Sequence, residues 1–158
     1  MDKIKLGISS CLLGENVRYD GRHKLDHYLK DELGKIVDWV GVCPEVECGL
    51  GVPREAMHLI GPSDSSRLVT RDSNIDHTEK MLSWAGERLK QLEKEGLAGF
   101  VFKNNSPSCG LNNVLSKKGT GLFAKEFVNH FKLLSVEDDE SLRDDKVKEN
   151  FIERIRKR

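Results

Sequence analysis

Three short apolar runs constrain this chain more than any other feature: IKLGISS at 4–10, IVDWVGV at 36–42 and LAGFVFK at 97–103. Each has the length and composition of a buried strand. Patterns of helical period lie between them. Leu25, Tyr28, Leu29 and Leu33 share one face of a predicted helix over 23–33, which Gly34 should stop. Ile75, Leu82, Ala85, Leu89 and Leu92 do the same over 75–95, with Gly96 beyond. A shorter helix is expected near 122–130, a strand at 132–136 and a charged helix at 141–156. Alternating strand and helix implies an α/β fold, a three-layer Rossmann-like sandwich with a mostly parallel sheet. Ligands of such sheets bind outside the carboxyl ends of the strands. The stretch 44–74 is turn-rich and should hold short strands at HLI and RLVT within a long excursion. Excursions of that length in compact folds are usually functional.

A length of 158 residues suits one α/β domain, 1–158, with an ordinary core. Lysine and arginine number 26, as do aspartate and glutamate, so the formal net charge is zero. Nothing here attracts polymeric nucleic acid or anionic lipid over distance. The apolar runs fall well short of the ~20 residues that span a bilayer. The start, MDKIKLGISSCLLG, has two lysines and no adequate signal-peptide core. The expectation is a cytoplasmic protein with no membrane partner. The C-terminal NFIERIRKR is amphipathic and reads as a packing face or a homodimer contact.

Four cysteines stand at 11, 43, 48 and 109. In a reducing compartment disulfides are disfavoured, and a lone cysteine is most simply a small buried hydrophobe. Here Cys11, Cys43 and Cys109 each follow a predicted strand, so a parallel sheet should bring them together at its carboxyl edge. Thiolates are soft ligands that select zinc, copper(I) or iron–sulfur clusters. A closed zinc site normally draws on two short C-x2-4-C knuckles. This chain has one such pair, Cys43 and Cys48. Spacing therefore indicates a metal without choosing it, and a four-cysteine zinc module stays open as a second reading. A Cys11 nucleophile is a third. Its phosphatase version fails by one residue, because six residues separate Cys11 from Arg18 where that motif has five, and Glu15 would repel phosphate.

Glu45 lies two residues from Cys43, and Ser106 three before Cys109. Beside a common centre the carboxylate could move protons or position water, and the hydroxyl could donate to a substrate. Their simplest readings are a solvated turn residue and a serine-type turn cap. Arg54 could bind an anion but reads more simply as a surface arginine. Asp26, Asp31 and the acidic run EDDE at 137–140 read as solvated surface. The five histidines show no metal-ligand spacing.

Five segments then carry a resemblance that runs in order along nearly the whole chain. They are Ser9-Ser10-Cys11-Leu12-Leu13-Gly14, Arg18-Tyr19-Asp20-Gly21, Cys43-Pro44-Glu45, Pro53-Arg54 and Ser106-Pro107-Ser108-Cys109-Gly110. Together they resemble the thiouracil desulfidase family, long catalogued as domain-of-unknown-function 523. The resemblance implies a [4Fe-4S] cluster held by Cys11, Cys43 and Cys109, with one iron open to the sulfur of a thiolated pyrimidine. It implies a non-redox exchange of that sulfur for the oxygen of water, with Glu45 and Ser106 as the catalytic pair. Two departures stand out. Val17 occupies a place where many members have a second cysteine, and Cys48 one where many have a small or apolar residue. The region around Cys48 and the segment NFIERI look closer to a branch whose substrate could be a thiouridine nucleoside.

Overall fold

The computed structural model describes residues 3–157. Strand β1 (Ile4–Ser9) runs into a 3-10 turn at Ser10–Leu13. A π-helical turn at Tyr28–Glu32 and a 3-10 turn at Leu33–Lys35 lead to β2 (Val37–Val42). The excursion opens with a four-residue helix, α1 (Pro44–Glu47), and closes with a hairpin of β3 (Met57–Ile60) and β4 (Arg67–Thr70). Then come α2 (Thr78–Glu95), β5 (Gly99–Phe102) and a small ribbon of β6 (Asn113–Val114) and β7 (Lys117–Lys118). Helix α3 (Leu122–His130), β8 (Ser135–Asp138) and α4 (Asp145–Arg156) complete the chain.

The central sheet has the order β2-β1-β5-β8, and every neighbouring pair is parallel. All four carboxyl ends therefore lie on one edge. One face buries Leu6, Ile8 and Val101 against Leu29 and Leu33 of the helical turns and Phe151 and Ile155 of α4. The other buries Phe100 and Phe102 against Ala85, Leu89 and Leu92 of α2 and Phe123 and Phe127 of α3. This is the expected three-layer α/β sandwich. Gly7 is required by close approach: a Cβ there would lie 2.2 Å from the Phe100 ring. That ring is part of a stack with Phe102, centroids 4.3 Å apart.

Several expectations need correction. The helix expected over 23–33 shrinks to the turn at Tyr28–Glu32. The Lys24 and Asp26 amides donate instead to Cys11 and Leu12 carbonyls, so the segment is spent lacing down the first loop. Ile75 lies before α2 and is exposed, in a turn closed by its own amide on Thr70 Oγ1. The strand expected at 132–136 is shifted to Ser135–Asp138, and the last helix starts at Asp145 with Asp144 as its N-cap. The acidic run is not all solvated. Asp138 and Asp139 are buried, and Asp139 Oδ1 accepts from the Asn104 amide and side chain, both at 2.8 Å. The apolar side of the C-terminal segment is spent on the sheet through Phe151 and Ile155. Among the described residues, no helix is long and apolar enough to cross a membrane.

Candidate functional site

The carboxyl edge of the sheet opens into a cavity of about 250 Å³. Cys11, Cys43 and Cys109 all line it, as do Glu45 and Ser106. Their convergence follows from strand order. Cys11 sits two residues beyond β1, Cys43 directly after β2, and Cys109 in the loop that leaves β5. Each cysteine is then set by local chemistry. Cys11 rides the 3-10 turn ended by Gly14 in the left-handed region, φ 90°. Cys43 is the N-cap of α1 with Pro44 at the first helical position, which suits a ring locked at helical φ. Its amide donates to Glu47 Oε2 at 2.8 Å, and Arg88 holds the other oxygen of Glu47 at 3.0 Å. The Cys109 amide donates to Ser106 Oγ at 3.0 Å. Gly110 must be glycine, because a Cβ would lie 2.3 Å from the Asn113 carbonyl oxygen.

Cys48 does not line this cavity. It caps the far end of α1 and packs among Met57, Leu68, Met81 and Leu122, with Sγ 3.5 Å from the Glu45 carbonyl. Among the described residues, no group of three or more His, Cys, Asp or Glu side chains is drawn together tightly enough for a single metal ion. Four thiolates on one zinc would lie ~3.8 Å apart, given bonds near 2.3 Å. The thiol placement is therefore at odds with a four-cysteine zinc site.

Burial pushes all three cavity thiols up, Cys11 to about 12. For Cys11 the nearby Lys103 acts against that rise, and for Cys109 a hydrogen bond from Ser9 does. Each thiol also feels its neighbours. A charge on Cys43 raises Cys11 and Cys109, and one on Cys11 raises Cys109. Burial first, and mutual repulsion second, thus oppose the thiolate forms of Cys11 and Cys109.

The expectation of a surface Arg54 is wrong in an informative way. Its side chain is only 8% exposed, and its Nε lies 2.9 Å from Glu45 Oε1. Its remaining nitrogens donate to the Gly51 and Val17 carbonyls at 2.8 and 2.9 Å. Glu45 is correspondingly not a solvated turn residue, for its side chain is 12% exposed. Its second oxygen, Oε2, accepts from Ser108 Oγ at 2.9 Å. Replacing Arg54 with methionine strands that carboxylate in a nearly closed space. The expected cost is about 3–5 kcal/mol of folding stability, read as a lower midpoint in chemical denaturation of the metal-free protein. The turn-cap reading of Ser106 holds as well, since its Oγ accepts the Ser108 and Cys109 amides. Sequence reasoning passed over Ser108 and Lys103. The signals were faint: Ser108 lies inside the Ser106-Pro107-Ser108-Cys109-Gly110 segment, and Lys103 stands at the end of the strand run 97–103.

A parallel-sheet α/β protein with a thiol-lined cavity and a fixed carboxylate at its carboxyl edge is the class these features define. The chain belongs to the 2-thiouracil desulfurase family, whose pattern it matches over residues 6–139. It is 33% identical over 112 residues to the uncharacterized protein YbbK of Bacillus subtilis (strain 168), an overlap of 65% of this chain and 71% of that protein. Among solved structures it is similar to the [4Fe-4S]-dependent thiouracil desulfidase TudS, with a TM-score of 0.77 and 28% identity. That match covers 95% of this chain and 99% of the TudS chain.

Proposed function

We propose that this chain, as one catalytic domain, removes sulfur from a small thiolated pyrimidine of the 2- or 4-thiouracil or thiouridine type with a [4Fe-4S] cluster. The observation that carries the reading is the convergence of three thiols from three strand ends, with Glu45 and Ser106 on the same cavity wall. Cys11, Cys43 and Cys109 would hold the cluster. The donor set fits, because three soft thiols from separate strand ends line one cavity. Bound there, the cluster supplies Lewis acidity toward a sulfur atom.

The chain's own residues do the rest. Arg54 and Ser108 hold the two Glu45 oxygens, so the carboxylate faces the cavity in one orientation and can exchange protons with water. Ser106 presents a hydroxyl for a ring oxygen or nitrogen. Lys103 adds a positive charge to the cavity wall beside Cys11, which favours an anionic thiolated ring or a departing sulfide. Overall, a C=S group and water become a C=O group and hydrogen sulfide, with no net oxidation. The test is an anaerobic assay of sulfide released from 2-thiouracil, 4-thiouracil and the corresponding thiouridines. The expected pattern is one sulfide and one oxo-pyrimidine formed per thiolated substrate consumed, and no sulfide in controls that lack substrate. An iron-loaded protein that releases none from any of them would refute the reading.

A further inference from the structure

Ser108 joins the two catalytic candidates, and the directions of its hydrogen bonds are fixed by chemistry. It is 1% exposed. The Glu45 carboxylate accepts only, so Ser108 spends its single hydrogen on Oε2 at 2.9 Å. The Cys109 sulfur, 4.0 Å away, is a poorer target for that hydrogen. Ser106 Oγ lies 3.1 Å from Ser108 Oγ, and with the Ser108 hydrogen already committed the donor in that pair is Ser106. Ser106 Oγ in turn accepts the amides of Cys109 at 3.0 Å and Ser108 at 3.2 Å. Polarity therefore runs one way, from the loop amides to Ser106, to Ser108, to Glu45. Arg54 closes the other end on Oε1 at 2.9 Å.

We propose that Ser108 is a positioning residue for the reaction, binding Glu45 and Ser106 into one oriented hydrogen-bonded unit. This rests on the desulfuration reading above. Two consequences follow from the arrangement. The carboxylate plane is held by a donor on each oxygen, so it does not turn into the cavity wall between turnovers. The Ser106 hydrogen is also already satisfied, so a substrate engages it by exchanging one hydrogen bond for another rather than by finding it idle. A residue that acts this way affects the chemical step more than substrate capture.

The experiment compares Ser108→Ala and Ser108→Thr in anaerobically loaded protein, with 2-thiouracil and 4-thiouracil as probes. Ser108→Ala is expected to lower kcat about 10–100-fold, the worth of a hydrogen bond to a charged group, with iron per chain unchanged and KM within about twofold. Ser108→Thr, which keeps the hydroxyl, recovers most of the loss. In a Glu45→Gln background, Ser108→Ala costs far less than it does alone, because both act through the same carboxylate. A readout free of turnover is the Ser106 hydroxyl proton by NMR in metal-free protein. It is protected from exchange in the wild type and lost to solvent in Ser108→Ala. Wild-type kcat in Ser108→Ala, loss of bound iron from it, failure of threonine to rescue, or fully additive effects would each overturn the proposal. A wild-type protein that holds iron but releases no sulfide refutes the desulfuration reading, while the NMR signal still decides the role of Ser108.

Discussion

Alanine at Cys11, Cys43 or Cys109 is expected to take bound iron from about four per chain to near none, whichever of the three is changed. The three thiols follow β1, β2 and β5, and the remaining thiol, Cys48, packs in a separate apolar cluster off the cavity lining, so it is not placed to take over a lost position. With two ligands left, a cluster would be held by too few of the bonds on which its retention depends. Cys48→Ala is the matched control. That thiol packs against Met57, Leu68 and Met81, away from the cavity. Its loss should leave iron intact and cost only about 1 kcal/mol of stability, as for a small buried group. Iron per chain and the visible absorption of the four variants, prepared without oxygen, check the contrast. Iron lost from Cys48→Ala and kept in Cys11→Ala would reverse the assignment.

Glu45→Gln is expected to lower sulfide release about 10²–10⁴-fold, the usual contribution of a positioned acid or base, with iron unchanged. The substitution keeps size and shape and removes the charge. Glu45 sits in a nearly closed space between Arg54 and Ser108, so a glutamine fits there sterically. It cannot relay a proton, and it leaves the Arg54 guanidinium without its counter-charge. Part of the effect will therefore appear as lost stability. Comparing kcat with the denaturation midpoint separates the two, because a purely structural role would lower the midpoint and leave kcat per folded, iron-loaded molecule intact.

Most of the architecture was legible because its signals are local. The runs at 4–10, 36–42 and 97–103 are strands for the same reason they look like strands, and α3 occupies the predicted residues Leu122–His130. The convergence of three cysteines followed from strand order alone. What was not legible depends on partners far away in sequence. Arg54 has the composition of a surface residue and becomes buried only because Glu45, nine residues earlier, and the Val17 carbonyl, 37 residues earlier, receive its donors. The contact between Ser108 and Glu45 spans 63 residues. Asp139 is drawn inward by Asn104 across 35. The missing helix over 23–33 has the same cause. Its apolar spacing is real, but the Lys24 and Asp26 amides find better use on the Cys11 loop, so tertiary pairing overrides the local pattern.

One measurement bears most directly on the central claim, that three converging thiols hold an iron–sulfur cluster: iron and acid-labile sulfide per chain in protein purified without oxygen. The account predicts a brown protein with about four of each, bleached by loss of any one of Cys11, Cys43 and Cys109. A protein that stays colourless and free of iron after attempted cluster reconstitution, or that holds a single zinc whose removal unfolds it, would contradict the account.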